Sequence, residues 1–423
     1  MSDDSGRDRV EPDWRSERAA PVAVGPPRHR RTRADRIRHA RGRRRRRLAS
    51  RLTVGILIVV VIGVVFLGSK LWHNVFGTGS DFSGEGVNDV VIQVHDGDST
   101  TAIGKTLQEH NVVATATAFV DAADGNAAIS SIQPGFYKVR TEIPATNAVE
   151  RLADPQNRVG RLVIPEGRQL DDIQDVKTNA VTDGILSLIA KATCVDLDGE
   201  RTCVAEDALK ESASTADPSA LSVPEWAVGP VNAMGADHRR LEGLIAPGSW
   251  NIDPSAQPPD ILSTLIGASA TQYAERGLLD TAKAMKMSPY QILTVGSLVQ
   301  REAAPEDFAK VARVIYNRLA ENRTLEFDST VNYPLDRIEV ATTDGDRGHH
   351  TQWNTYVRPG LPATPICSPG QPALAAAEKP EAGDWLYFVT VDLQGTTLFT
   401  RDYKQHLANI ELAKRNGVLD SAR

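Results

Sequence analysis

The stretch SPYQILTVGSLVQREAAPEDFAKVARVIYNRLA, residues 288–320, carries the clearest structural signal in the chain. Ser288 followed by Pro289 and, three residues on, Gln291 reads as a capping box with proline at the first helical position, so a helix starts at Pro289. Ile292, Val295, Leu298 and Val299 then repeat at helical spacing and carry that helix to about Ala303. Pro305-Glu306-Asp307 opens a second helix, in which Phe308, Val311, Ile315 and Leu319 recur at the same period.

At 100° per residue Glu302 falls on the apolar stripe of the first helix, seven residues after Val295 and three after Val299. A carboxyl on a buried stripe is expensive unless it is paired or neutral. Position alone favours the ordinary explanation, an ion pair with an arginine such as Arg313 or Arg318. The functional alternative is a carboxyl kept protonated by desolvation, ready to transfer a proton.

Toward the C-terminus, LYFVTV at 386–391, a turn near Gly395 and TLFT at 397–400 predict a hairpin. Asp402 with Gln405 resembles another capping box, and Gly417 is a helix stop. Toward the N-terminus, VVIQVHDGDSTTAIGKTLQ at 90–108 reads as a strand, a glycine turn and the start of a helix. A weak repeat follows: Val94-His-Asp-Gly97 with Ile103, and Ile164-Pro-Glu-Gly167 with Ile173 at the same distance, so the second copy predicts the same three elements. Small glycan-binding LysM modules begin this way, and so do ordinary strand-turn-helix units. Residues 205–240 read as helices and loops with little chemistry. The sum is an α+β body.

Charge is divided unevenly. Residues 1–51 hold 17 Arg and seven Asp/Glu, a balance of +10, so the overall −6 leaves −16 for the remainder. Residues 52–69, LTVGILIVVVIGVVFLGS, carry no charge and as a helix would cover about 27 Å, nearly a hydrocarbon core. Trp72 beyond Lys70 supplies an interfacial anchor. A cleaved signal peptide would have a shorter apolar core and would not follow fifty residues. The Arg28–Arg51 block beside a span holds the N-terminus in the cytoplasm and touches anionic headgroups, which leaves nucleic acid unnecessary as its partner.

Cys194 and Cys203 bracket VDLDGERT, so either a small disulfide loop or two free thiols fits, and Cys367 is left over. No Cys/His spacing suits a metal, His349-His350 lies in a polar loop without a partner at zincin spacing, and Asp344-Gly-Asp346 is too short for a calcium loop. No nucleophile elbow, phosphate loop or dinucleotide fingerprint is present, and no cofactor is expected.

Five blocks in order, SLVQREA at 297–303, VIYNRL at 314–319, LEFDSTVNY at 325–333, NTYVRPGLPATPICSPG at 354–370 and WLYFVT at 385–390, resemble the YceG-like family of endolytic murein transglycosylases (MltG). The resemblance implies one N-terminal span, a LysM-like region and a catalytic body whose single acid/base is the last acid of S-(I/L)-(I/V)-E-(K/R)-E, here Glu302. The earlier acid of that pattern is Gln300 here. Residues two apart on a helix point about 200° away from each other, so the change leaves Glu302 as the only acid of that helix in the pattern. A family segment E-G-x-x-x-P-D-T-Y reads Glu242 to Trp250, with Gly248 and Ser249 in place of Asp and Thr, which puts sugar contacts there in doubt.

The resemblance therefore predicts cleavage of the MurNAc-GlcNAc bond of nascent peptidoglycan strands, with a 1,6-anhydro end and a role in limiting strand length. Hydrogen-bonders in the matching blocks, Asn317, Thr330, Asn354 and Tyr356, with Asp328 as electrostatic helper, are the expected substrate contacts. Packing and turn-capping are the ordinary roles for Asn317 and Asp328. The expected organisation is a basic tail at 1–51, a transmembrane helix at 52–72 contacting membrane lipid, a linker at 73–89 and a LysM-like glycan-binding subdomain at 90–160. A second LysM-like motif with its connection fills 161–240, and the catalytic domain 241–418 lies outside the cell membrane. Peptidoglycan strands are the expected substrate, and synthases or division proteins the expected protein partners. A non-catalytic wall-binding scaffold is the competing function. A single-span sensor has no transmitter domain to support it.

Overall fold

The computed structural model describes residues 81–175, 178–335, 337–338 and 343–418. The basic tail, the 52–72 span and the start of the 73–89 linker lie outside them, and no helix among the described residues is long and apolar enough to cross a membrane.

Order begins earlier than the predicted Val90. The Asp81 carboxylate accepts from Ala145 N at 3.0 Å, and Val87 N donates to Thr141 O at 3.0 Å. Strand β1, Asp89–Val94, turns at Gly97 into helix α1, Thr100–Glu109, which is capped by the Ser99 hydroxyl. Helix α2, Ala116–Ala123, leads to strand β2, Gly135–Arg140, antiparallel to β1. Helix α3, Ala145–Ala153, and strand β3, Arg158–Val159, complete the first module. Alternation in β1 buries Ile92 and Val94, and these pack with Ile103, Leu107, Phe119, Val139, Val149 and Leu152 in one apolar cluster.

Gly160 separates that module from the body, with φ +66° and a position where any Cβ would lie 1.9 Å from Ile252 O. Strand β4, Arg161–Ile164, follows, but the second repeat does not continue into a helix. After Gly167 the chain makes a bridge at Arg168 and bends at Leu170–Asp171 before β5, Ile173–Asp175, which pairs with β6, Val181–Thr182, and with β10, Arg337–Ile338. The reason is long-range pairing. Gly167 N bonds Ser368 O, Ser368 N bonds Arg168 O, and Leu170 N bonds the Glu242 carboxylate, so these backbone groups are unavailable to a helical turn.

Nor does packing divide at 240/241. Leu162, Ile164 and Leu170 share a buried cluster with residues from Leu241 to Ala377, because β4 pairs with β9, Gly248–Asn251, in the register Leu162↔Trp250. Helix α4, Ile185–Ala192, precedes the β7–β8 hairpin, Val195–Leu197 with Glu200–Thr202, which is stapled by a Cys194–Cys203 disulfide. Cys367 is free and buried. Helices α5, Glu206–Thr215, and α6, Glu225–Ala233, fill the 205–240 region. Helices α7, Pro258–Glu275, and α8, Leu278–Met285, lead to the decisive segment.

Helix α9 runs Pro289–Glu302 and starts with the reciprocal Ser288/Gln291 capping box and Pro at its first turn, as the sequence predicts. Ile292, Val295, Leu298 and Val299 are 0 % exposed, and each such side chain contributes about 1.5–3 kcal/mol relative to exposure. Helix α10, Phe308–Ala320, buries Phe308, Val311 and Ile315. Short helices α11, Asp328–Asn332, and α12, Asp344–Gly348, follow, then α13, Gln371–Glu378. The predicted hairpin forms as β11, Tyr387–Thr390, and β12, Thr397–Thr400, with Phe388 stacked on Phe399 at 5.8 Å. Helix α14, Tyr403–Arg415, is capped by Asp402 and followed by Gly417 at φ +75°.

Candidate active site

Glu302 is the last residue of α9, where the helix emerges from the core, and it keeps part of its surface open. Burial of the carboxyl dominates its electrostatics and pushes its pKa up to about 7. Ser329, through its hydroxyl and backbone N–H, pulls the other way; the negative charge of Asp328 adds to the rise and Arg301 opposes it. The Ser329 hydroxyl is buried and makes no other hydrogen bond among the described residues.

The arginines that would have made Glu302 an ordinary ion pair are engaged elsewhere. Arg313 donates to the Glu381 and Pro380 carbonyls. Arg318 is spent on the carbonyls of Leu386, Thr324 and Leu325 and on the Glu326 carboxylate. A desolvated carboxyl with a raised pKa and no salt bridge among the described residues is the form an acid/base needs.

Asp328 and Tyr356 come together beside it. Tyr356 Oη donates to Asp328 Oδ1 at 2.7 Å, and Arg347 holds both Asp328 oxygens at 3.2 Å through Nε and Nη2. The same guanidinium lies 5.3 Å from the Tyr356 ring centroid. Asp328 is therefore a fixed negative charge, oriented from two sides. Arg347 and Ser329 were not singled out by sequence. Ser329 sits inside the LEFDSTVNY block, and Arg347 follows Thr343-Asp-Gly-Asp346, which folds as the capping box of α12 rather than as an ion-binding loop.

Three of the expected substrate contacts direct their side chains into hydrogen bonds within the protein. Asn317 donates to the Gly383 and Trp385 carbonyls and ties α10 to the segment before the hairpin. Thr330 is fully buried, bonded to Phe327 O at 2.7 Å and to the Thr355 hydroxyl at 2.9 Å. Asn354, 1 % exposed, donates to the Arg347 and His349 carbonyls and accepts from Tyr356 N, so it sets the loop that carries Arg347 and Tyr356. Their amides and hydroxyls satisfy tightly turned backbone that side-chain chemistry alone does not foretell. The side chains of His349 and His350 are exposed.

Gln300, two residues before Glu302, accepts from Gly370 N at 2.8 Å and packs over Gly167. It faces the strand side of α9. Glu242, missed as a site residue, is 0 % exposed. Its Oε2 accepts from Leu170 N at 3.0 Å and from Tyr333 Oη at 2.8 Å, and its Oε1 is buried with no hydrogen-bond partner among the described residues. Burial pushes its pKa up to about 8 against the pull of those two bonds, and the charge of Asp171 reinforces the rise. Tyr333 directly follows α11, so a neutral Glu242 clamps the helix that carries Asp328 and Ser329 to the loop after β4. Nearby, burial raises the Asp171 carboxyl, but the bonds and charges of His238 and Lys210 outweigh it and bring its pKa to about 2.

A cavity of about 640 Å³ opens at the other end of α9, lined by Tyr290, Thr294, Tyr316 and Leu361 among others. Glu302 does not line it, and Tyr290 lies about 18 Å away along the helix at ~1.5 Å per residue.

Known proteins bear on this geometry. The sequence profile of the YceG-like family matches residues 92–412. The chain is 27% identical over 320 residues to the endolytic murein transglycosylase of Bacillus subtilis (strain 168), covering 75% of this chain and 82% of that protein. It is 24% identical over 333 residues to the endolytic murein transglycosylase of Streptococcus pneumoniae serotype 2, covering 76% of this chain but only 58% of that longer protein. A YceG-like protein of Listeria monocytogenes with a solved crystal structure superposes with a TM-score of 0.49 at 24% identity, over 76% of this chain and 98% of that one. Because the profile spans residues 92–412, from β1 into α14, and takes in both Glu302 and the Asp328–Tyr356 pair, the chain belongs to the YceG-like family.

Proposed function

We propose that the chain is a peptidoglycan lytic transglycosylase that cuts glycan strands internally, with Glu302 first as acid and then as base. The observation that carries this is the state of Glu302: a residue at the end of α9 whose carboxyl is desolvated, makes no arginine salt bridge among the described residues, and has its pKa pushed up to about 7. An unshifted carboxyl of pKa 4.5 would be only about 0.3% protonated at pH 7, whereas about half is protonated at the raised value.

A hydrolytic glycosidase needs two catalytic carboxyl groups because water or an enzyme nucleophile must be activated. Attack by the substrate's own muramyl C6 hydroxyl removes that need. Glu302 gives its proton to the leaving glycosidic oxygen, the C6 oxygen closes on the anomeric carbon, and the ionised Glu302 takes the hydroxyl proton. The product is a 1,6-anhydro end and the acid is regenerated. Asp328, fixed by Arg347 and Tyr356, supplies a negative charge that stabilises the oxocarbenium-like transition state without having to move. Names of relatives support peptidoglycan as the substrate class.

We further assign residues 52–72 as a membrane anchor with the basic tail in the cytoplasm, the body outside, and the first module as a LysM-like glycan-binding unit. An anchored enzyme of this kind would trim strands as they emerge and so limit their length. The deciding experiment is to incubate the purified full-length chain with uncrosslinked glycan strands and weigh the new ends. Anhydro ends support the reading. Hydrated reducing ends would make Asp328 a second catalytic carboxylate, and intact strands would leave the scaffold.

A further inference from the structure

Arg301 sits beside Glu302 on the last turn of α9 and is half-buried. Its guanidinium makes no hydrogen bond or ion pair among the described residues, and its Nε is buried with no partner. The neighbouring arginines differ in this respect: Arg313, Arg318 and Arg347 each donate to carbonyl or carboxylate oxygens. A cation at a helix C-terminus is favoured by the macrodipole, which accounts for a positive residue here but not for a desolvated, unsatisfied N–H.

The charge of Arg301 acts on two groups, the Glu302 carboxyl and the buried Cys367 thiol. Its charge therefore reaches both the candidate acid and the 365–370 segment that runs along α9, where Ile366 N bonds the Ser297 hydroxyl and Gly370 N bonds the Gln300 side-chain oxygen. When Glu302 is protonated, as its role requires, it offers Arg301 no counter-charge.

We propose that Arg301 is a substrate-recognition residue that binds a carboxylate of the glycan strand next to the bond that Glu302 cleaves. This rests on the reading of Glu302 given above. A planar fork of N–H donors matches a carboxylate in bidentate geometry, and a half-buried site strengthens the contact. Two sources on the strand have the right chemistry: the lactyl acid of a muramyl residue whose peptide has been removed, and the acids of an attached stem peptide. An anion bound here also offsets the pull of Arg301 on Glu302 and so helps keep the acid protonated.

The test uses the full-length chain and three uncrosslinked substrates: strands with stems, strands stripped to free lactyl acids, and stripped strands whose lactyl acids are capped as neutral methylamides. Turnover is measured for the native chain, Arg301→Gln and Arg301→Lys, and strand affinity is measured separately in a Glu302→Gln background, so that loss of recognition and loss of chemistry are separate results. Native KM and Kd should be about 10- to 100-fold higher on capped strands than on those bearing the recognised acid. Arg301→Gln should raise both by the same factor on strands bearing the recognised acid and not on capped strands, Arg301→Lys should recover part of the loss, and the product ends should not change. Whichever acid-bearing substrate shows the Arg301 dependence identifies the source.

A native chain that takes capped strands as well as it takes both acid-bearing substrates would overturn the proposal, and that arm stands even if Arg301→Gln fails to fold. An equal KM rise on all three substrates, or an effect confined to kcat, would overturn it too. Cleavage that survives Glu302→Gln would remove the reading of Glu302 while leaving the affinity measurements to judge Arg301.

Discussion

Replacing Glu302 by glutamine keeps the size of the side chain and removes its proton, and its consequences for activity and stability can be worked out together. Folding raises the Glu302 pKa from 4.5 to about 7. Between those values the folded state binds more protons than the unfolded chain, so stability falls as pH rises through the window and the full penalty is present above pH 7. A shift of that size corresponds to about 3 kcal/mol at most, less whatever solvent screens at the open face. Glu302→Gln carries no such penalty. It should come within about 0.5 kcal/mol of the native chain near pH 4.5, where the folded carboxyl is neutral and the unfolded one only half ionised, and exceed it by about 2–3 kcal/mol at pH 8.5. Activity should move the opposite way, with cleavage down about 10²–10⁴-fold. The assays are urea unfolding across pH 4.5–8.5 and mass spectrometry of digested strands. A stability difference that does not grow with pH, or undiminished cleavage, would refute the account of this carboxyl as a desolvated acid.

Asp328→Asn removes the negative charge that helps hold Glu302 protonated, so the alkaline limb of the rate profile should move to lower pH; a limb that stays put or moves up would exclude Asp328 as its neighbour in charge. At pH 7 Glu242→Ala should cost about 3–5 kcal/mol, because it leaves a cavity and strands Leu170 N and Tyr333 Oη, while Glu242→Gln should be within about 1 kcal/mol of native, as chemical denaturation would report. Replacing both Cys194 and Cys203 by serine opens a short loop, and loop entropy sets the loss at about 2–3 kcal/mol, with kcat on glycan strands unchanged.

The sequence by itself determined the elements whose signals are local. Helix α9 was legible because its capping box and apolar stripe act between residues three and four apart, and the β11–β12 hairpin because its turn and alternation lie within fifteen residues. The position of Glu302 on that stripe was legible for the same reason. Its charge state was not, since it depends on where Arg313, Arg318 and Asp328 end up, and that is settled by contacts distant in the chain. The second repeat shows the limit most directly: a motif that leads into α1 in one copy leads into β5 in the other, because partners from Ser368 and Glu242 claim its backbone. The Arg347–Asp328 grip spans 19 residues, and the two bonds to Glu242 span 72 and 91. Spacing rules reach one helical turn or one strand pair, whereas burial and pairing are properties of the packed chain, so tertiary structure alone decided which carboxyls are clamped, which are neutral, and which of the predicted polar residues face inward.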